Sequence, residues 1–258
     1  MALFNYSKPG PGVDKGETRK NRFFYFWELY LRKLWKLMEL NLLYLLCCIP
    51  VVTIGPATAG MVYVLRNYAD TRSTFLCYDF FQAFKKNFKQ SLAIFFIDIP
   101  LTAVAGFAFY FYLNIESKLK FLPAGISLLV VILLTFMRFY TYLMAVTVDL
   151  KLKHIFKNAF IFSFIGLKSN IFSLIFSALV LAVAFVLLPY GYLILGLIAF
   201  STMGFIQVYN AYPYIVKYIV TPFEEKEGII KEEEEAVFTD IGTKERPAKA
   251  PSKGRIIK

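Results

Sequence analysis

Long apolar runs with at most one charge alternate along the chain with short stretches rich in lysine and aromatic residues. Two of these runs cover residues 90–115 and 121–148, each interrupted by a single charge, and a third covers residues 169–216. A helix crosses the hydrocarbon core of a bilayer with about 20 apolar residues, so the third run is long enough for two spans. A Pro-Tyr-Gly sequence at 189–191 is typical of the turn between them. The predicted spans are therefore 90–115, 121–148, 170–188 and 191–216.

An earlier uncharged run, residues 40–65, carries proline and glycine in its middle. The candidate positions for a helix break are Pro50, Gly55, Pro56 and Gly60. Proline lacks an amide hydrogen and glycine weakens a helix, so a straight helix through this run is not expected. A hairpin of two short segments gives six membrane segments in the whole chain, and a single kinked crossing gives five. The pattern leaves both open.

Three stretches that precede the apolar runs combine aromatic and basic residues at helical spacing, and they cover residues 22–38, 74–89 and 151–168. Helices with such faces lie in the headgroup layer of a membrane. In the second stretch, one face carries Cys77, Phe80, Phe81, Phe84 and Phe88, and the other carries Gln82, Lys86 and Lys89. Candidate basic contacts with the membrane interface are Arg32, Lys33, Lys36, Lys85, Lys86 and Lys89.

The predicted fold class is therefore an all-α, polytopic membrane helical bundle of five to six membrane segments. We expect three modules within residues 22–221, each an interfacial elbow helix followed by a hairpin. The alternative is that the basic, aromatic stretches are only the charged ends of long transmembrane helices, because amphipathic spacing alone does not fix an angle to the membrane.

Composition agrees with a membrane protein, because 58% of the residues are hydrophobic and the mean hydropathy is +0.55, against roughly 45–50% apolar residues in soluble domains. The net charge of +11 comes from basic residues beside the apolar runs, Arg66 among them. Basic loops stay in the cytoplasm, which predicts a multi-pass cell-membrane protein with both termini cytoplasmic. Residues 1–21 are predicted to be an N-terminal loop without a cleavable signal, and residues 222–258 a disordered, charged tail. No recognition module favours a nucleic acid partner.

Asp98 and Arg138 are the charges that interrupt runs 90–115 and 121–148. A charge at the centre of a span costs at least about 2.5–3.5 kcal/mol on insertion scales, so each needs a partner. At about 1.5 Å per residue, Asp98 lies roughly 12 Å inside its span and Arg138 roughly 15 Å inside its own. An ion pair between antiparallel neighbours is therefore predicted. It either lines a path for a substrate or ion, or it fixes helix register; an arginine that reaches the nearby interface is the third alternative.

The sequence offers little material for catalysis or metal binding. Cys47 and Cys48 are adjacent in an apolar run, Cys77 stands alone, and His154 is the single histidine. A zinc site needs clustered cysteine and histidine, and a histidine-based triad needs a suitably placed partner. We therefore expect no metal, no cofactor and no catalytic residue.

Three segments resemble a known family: LFNYSKPGPGVDK, LNLLYLLCCIPVVTIGPATAGMVYVLRNYAD and DFFQAFKKNFKQS. They are similar to the YesL-like membrane proteins of Firmicutes, a family of unknown function, over roughly residues 1–220. The IPxVTIGPATAG run is the most specific part of the resemblance. The resemblance implies an integral membrane protein often encoded beside carbohydrate ABC importers and glycan-degrading enzymes, and thus an accessory role in sugar uptake.

The first functional hypothesis is therefore a non-enzymatic accessory or regulatory component associated with ABC-type carbohydrate uptake. Its expected partners are membrane lipids and an ABC permease or ATPase, and a homo-oligomer is also open. The alternative is a small transporter with Asp98 and Arg138 in its pathway, because broken helices and intramembrane charges line pathways in carriers. A membrane enzyme is the third hypothesis, although Asp70, Asp79 and Asp149 are dispersed.

Overall fold

The computed structural model describes residues 22–116 and 119–226, and these residues form helices without a β-strand. The helices are α1 (Arg22–Cys48), α2 (Ile54–Ala69), α3 (Leu76–Lys86), α4 (Phe88–Asn114), α5 (Phe121–Thr147), α6 (Leu152–Ile165), α7 (Leu167–Val186), α8 (Gly191–Ile194), α9 (Phe200–Ile215) and α10 (Thr221–Lys226). The predicted loop 1–21 and the part of the predicted tail from 227 onward lie outside the described residues.

Four helical runs in the described part of the chain are long and apolar enough to cross a membrane. They are Phe88–Asn114, Phe121–Thr147, Leu167–Val186 and Gly191–Glu224. In the last run, π-helical segments Leu195–Ala199 and Val216–Val220 join α8, α9 and α10. This run continues past residue 216, where the last span was predicted to end, because α10 carries the helix into the start of the predicted tail.

The chain divides into two compact units at Leu34. Within the described residues, the first unit is the N-terminal half of α1. Its rings contact one another along the helix: Phe26 and Tyr30 stack with centroids 6.0 Å apart, and Trp27 meets Tyr30 edge-on at 5.8 Å. The second unit begins at Trp35 and holds the other helices.

The predicted break within residues 40–65 lies between α1 and α2. Pro50 begins a short 3₁₀ turn, Val51–Thr53, and the Thr53 hydroxyl donates to the Cys47 carbonyl at 2.6 Å. Beyond the turn, the Tyr44 hydroxyl lies 3.4 Å from the Thr58 hydroxyl. A continuous helix would separate these two positions by roughly 21 Å, so the chain reverses direction here. The arrangement is a hairpin of two helices, while the number of membrane crossings in this part stays a prediction.

Helix α2 lies in the interior of the second unit, because most of its residues from Gly55 to Tyr68 are buried. It packs against α3, α4, α5 and α9. A helix that is apolar around most of its circumference is typical of such a central position. Its 16 residues span only about 24 Å. The sequence pattern, which joined this helix to the end of α1, does not distinguish a central helix from an outer span.

Two of the predicted helix-breaking glycines instead allow close packing of α2. A Cβ on Gly55 would lie 2.6 Å from the Ser91 carbonyl oxygen and 2.9 Å from Phe95 Cβ, so α4 approaches α2 over the bare glycine. A Cβ on Gly60 would lie 3.0 Å from the Phe80 carbonyl oxygen of α3. Gly55 and Pro56 lie in the first turn of α2 and Gly60 lies inside it. Of the four predicted break positions, Pro50 is the one in the break itself.

Helices α3 and α6 are each joined to the following span by one residue. Asn87 separates α3 from α4, and Gly166 separates α6 from α7. In both elbows the linking amide donates to a carbonyl four residues earlier, at 3.0 Å and 2.9 Å. The first predicted interfacial helix, 22–38, differs, because α1 continues without a break to Cys48.

Candidate functional site

The candidate site joins α4 to α5 through a charged pair. Arg138 Nε lies 2.5 Å from Asp98 Oδ2, and Arg138 Nη2 donates to the Thr102 hydroxyl at 2.9 Å. Asp98 and Thr102 are four residues apart on α4 and therefore share a face, so one guanidinium reaches both. Arginine presents several donors in a fixed fork, which suits it to this double contact. Thr102 is the member of the site that the sequence pattern did not select.

The two charges lie at matching depths in their helices. Asp98 is about 15 Å from Phe88, where α4 begins, and Arg138 is about 14 Å from Thr147, where α5 ends, at about 1.5 Å per residue. Their exposure differs, because the Asp98 side chain is 8% exposed and the Arg138 side chain 34%. The carboxylate therefore depends on the guanidinium for compensation, whereas the guanidinium keeps part of its surface outside the protein interior.

Other polar side chains continue from this pair toward α1 and α2. Tyr142 is buried one turn after Arg138 on α5. Tyr44 in turn lies against Thr58, across the α1–α2 hairpin. Hydroxyl groups on α1, α2 and α5 therefore lie in the same part of the second unit as the α4–α5 pair.

The backbone of α4 is irregular beside the pair, because Pro100 lies inside the helix between Asp98 and Thr102. A proline at this position removes the amide that would bond the carbonyl four residues earlier, at Phe96. Irregular helices beside intramembrane charges occur in transport pathways and also in kinked helices whose charges are structural. Both side-chain partners of Arg138, Asp98 and Thr102, belong to α4 and lie on either side of this proline.

A second buried guanidinium, Arg66, lies near the C-terminal end of α2. It is 3% exposed, and it donates from Nη1 to the Val146 carbonyl at 2.9 Å and from Nη2 to Asn67 Oδ1 at 3.2 Å. Its guanidinium carbon also lies 4.5 Å from the centre of the Tyr63 ring, a cation–π contact. The sequence pattern placed Arg66 among the basic residues that flank the apolar runs; the structure adds that its side chain is buried and joins α2 to α5.

Asp70 ends the same helix and connects it to α9. Asp70 Oδ2 lies 2.6 Å from Arg72 Nε, and the Tyr212 hydroxyl donates to Asp70 at 3.5 Å. The spacing of Arg66 and Asp70, one helical turn apart, is the sequence signal that would have marked this end of α2 as a polar junction.

Asn41 is a buried residue that the sequence pattern passed over, and it joins α1 to the last helical run. Its Nδ2 donates to the Leu195 carbonyl at 3.1 Å and to the Gly196 carbonyl at 2.6 Å. Its Oδ1 accepts from the Ser201 amide at 2.9 Å. A π-helical segment leaves backbone groups without their usual partners, and inside a membrane these must be satisfied by the protein. The fully buried Asn41 side chain provides hydrogen-bond partners for the Leu195 and Gly196 carbonyls and for the Ser201 amide.

The basic residues predicted to contact the interface lie on three helices and do not form one cluster in the sequence. Arg32 and Lys33 belong to the first unit, and Lys36 belongs to the second. Lys85 and Lys86 end α3, and Lys89 begins α4. Lys33 is half-buried and the others are exposed.

Within residues 22–116 and 119–226, no group of three His, Cys, Asp or Glu side chains has a geometry that could hold a metal ion. Cys47 and Cys48 are half-buried and Cys77 is exposed. The buried polar groups of the site are thus carboxylate, guanidinium, hydroxyl and amide groups that contact one another.

The comparison with protein families gives one match. Residues 37–113 match DUF624, a family described as a protein of unknown function. This stretch contains the C-terminal part of α1, all of α2 and α3, and nearly all of α4. It therefore includes Asn41 and Asp98 but ends before Arg138. No curated protein and no solved structure matches the chain.

Proposed function

We propose that this protein is a non-enzymatic accessory component of the cell membrane, associated with ABC-type carbohydrate uptake and with both termini in the cytoplasm. The observation that carries a non-transporting role is the engagement of Arg138 by both Asp98 and Thr102. A site for cargo needs polar groups that can turn to the cargo, whereas this guanidinium already holds two side chains of α4. The link with carbohydrate uptake rests on the resemblance to YesL-like proteins.

The test is affinity purification of the tagged protein in mild detergent from its host grown on plant polysaccharide. We expect mass spectrometry to recover an ABC permease or its ATPase in near-stoichiometric amount. The control is a tagged, unrelated multi-span protein of the same membrane, which should not recover them. Recovery of the protein alone, as a homo-oligomer, would contradict the accessory role.

A small transporter is the second candidate, favoured by the exposed part of Arg138 and by Pro100 beside it. Proteoliposomes that contain the purified protein distinguish this function from the first. Sugar or ion flux that Asp98→Asn abolishes, and that Ser127→Ala on the same hairpin leaves intact, would support transport. Absence of flux together with recovery of an ABC component supports the accessory role.

A further inference from the structure

The exposed half of α3 combines aromatic and basic side chains and has no acidic residue. It is made of Cys77, Tyr78, Phe81, Gln82, Lys85 and Lys86. Five of these residues, Lys86 excepted, line an open groove of about 470 Å³. The one acidic residue of α3, Asp79, accepts the Phe75 amide at 3.0 Å and lies off this face. The predicted aromatic face is divided, because Phe80 is fully buried while Phe81 is 40% exposed.

The exposed half of α6 has the same character. It carries Lys153, His154, Lys157, Phe160, Ile161, Phe164 and Ile165, and α6 contains no acidic residue. Its opposite side is buried through Ile155, Ala159 and Phe162. The exposed acidic residue nearest in sequence is Asp149, before the helix begins. Two helices thus show the same combination of exposed aromatic or apolar and basic side chains.

The structure places the two helices at the same end of the α4–α5 hairpin. Gln90, in the first turn of α4, donates from Nε2 to the carbonyl of Leu150, in the link between α5 and α6, at 2.8 Å. Because α3 ends one residue before α4, its basic end lies at the same end of the α4–α5 hairpin as the start of α6. Each helix is also joined to the first residue of the following span by a one-residue elbow. Lys120, in the link between α4 and α5, lies at the other end of helices about 40 Å long.

We infer that the exposed faces of α3 and α6 form a binding surface for the headgroups of anionic phospholipids. The aromatic rings enter the layer between headgroups and acyl chains, where such rings concentrate. The lysines face the phosphates, and a basic residue near an anionic membrane surface contributes about 1 kcal/mol of attraction. The absence of acidic residues from both faces favours this occupant over a zwitterionic lipid. This inference does not depend on the proposed accessory function, because it concerns lipid and the purified chain alone.

The test compares the affinity of the delipidated protein for phosphatidylglycerol and for phosphatidylcholine. The two lipids are added at equal concentration in detergent, and native mass spectrometry measures how much of each stays bound. The wild type is expected to retain phosphatidylglycerol about tenfold more tightly. The variant with Lys85, Lys86, Lys153 and Lys157 changed to glutamine is expected to lose that preference. Changing the same four lysines to arginine keeps the charge and is expected to retain the preference, and Lys120→Gln is expected to leave it unaltered.

The folded state of each variant is checked by size exclusion and circular dichroism before lipid is added. Should the glutamine variant fail to fold, pairs of substitutions restricted to α3 or to α6 give the same comparison at smaller charge loss. Equal retention of the two lipids by the wild type overturns the inference. A folded glutamine variant that retains phosphatidylglycerol like the wild type also overturns the inference. If that variant has in addition lost a protein partner, the surface binds protein and not lipid.

Discussion

Replacing Arg138 with glutamine is expected to lower the free energy of unfolding by about 3–5 kcal/mol, because it leaves the buried Asp98 carboxylate without its cation. Asp98→Asn is expected to cost less, about 1–2 kcal/mol, because the Arg138 side chain is partly exposed and its long stem can carry the charge toward a polar surface. Unfolding in detergent by titration with sodium dodecyl sulfate, followed by circular dichroism, gives both values.

The double substitution separates pairing from two independent effects. If the side chains are coupled, Asp98→Asn with Arg138→Gln costs less than the sum of the single changes and less than Arg138→Gln alone. Thr102→Val removes the hydroxyl to which Arg138 Nη2 donates and is the matched control, with an expected cost of about 1 kcal/mol. Additive single costs would show that the charges do not stabilise one another.

Asn41→Leu is expected to lower the free energy of unfolding by about 3 kcal/mol, the second largest effect. The substitution keeps the branched shape of the side chain but removes three hydrogen bonds, at about 1 kcal/mol each, to the carbonyls of Leu195 and Gly196 and the amide of Ser201. The backbone groups of the π-helical segment then have no water to replace the amide. The same denaturant titration measures the effect.

The control for Asn41→Leu lies in the π-helical segment itself. A Cβ on Gly196 would meet nothing within 4 Å, so Gly196→Ala is expected to leave stability nearly unchanged or to raise it slightly. A destabilisation by Gly196→Ala as large as that of Asn41→Leu would show that the segment tolerates no change of any kind. The special role of the Asn41 amide would then be contradicted.

The four apolar spans could be predicted from the sequence because apolar runs of this length, with at most one charge, are typical of membrane-spanning helices. The depth of Asp98 and Arg138 followed from the same runs, since helix rise converts position into distance. The reversal between α1 and α2 was one of two alternatives, because Pro50 marks a break but does not say whether the chain turns back. Local sequence therefore accounts for the positions of the spans and of the two charges.

The polar contacts among helices could not be predicted, because each joins residues distant in the sequence. In the sequence, Asn41 is one polar residue in an apolar run, and its partners, the carbonyls of Leu195 and Gly196, are more than 150 residues away. Arg66 resembles a flanking cation until α5 covers it with the Val146 carbonyl. Both residues satisfy backbone groups of another helix, and this information lies in the packing.

The proposed function and the lipid surface both require that α4 and α5 cross the membrane with α3 and α6 on one side. The decisive measurement labels single cysteines with a membrane-impermeant maleimide in intact and permeabilised bacterial cells, after Cys47, Cys48 and Cys77 are changed to serine. We expect Leu119→Cys and Tyr190→Cys to react in intact cells, and Ser73→Cys and Lys151→Cys to react only after permeabilisation. Reaction of Ser73→Cys and Leu119→Cys from the same side would show that α4 does not cross, and would contradict this topology.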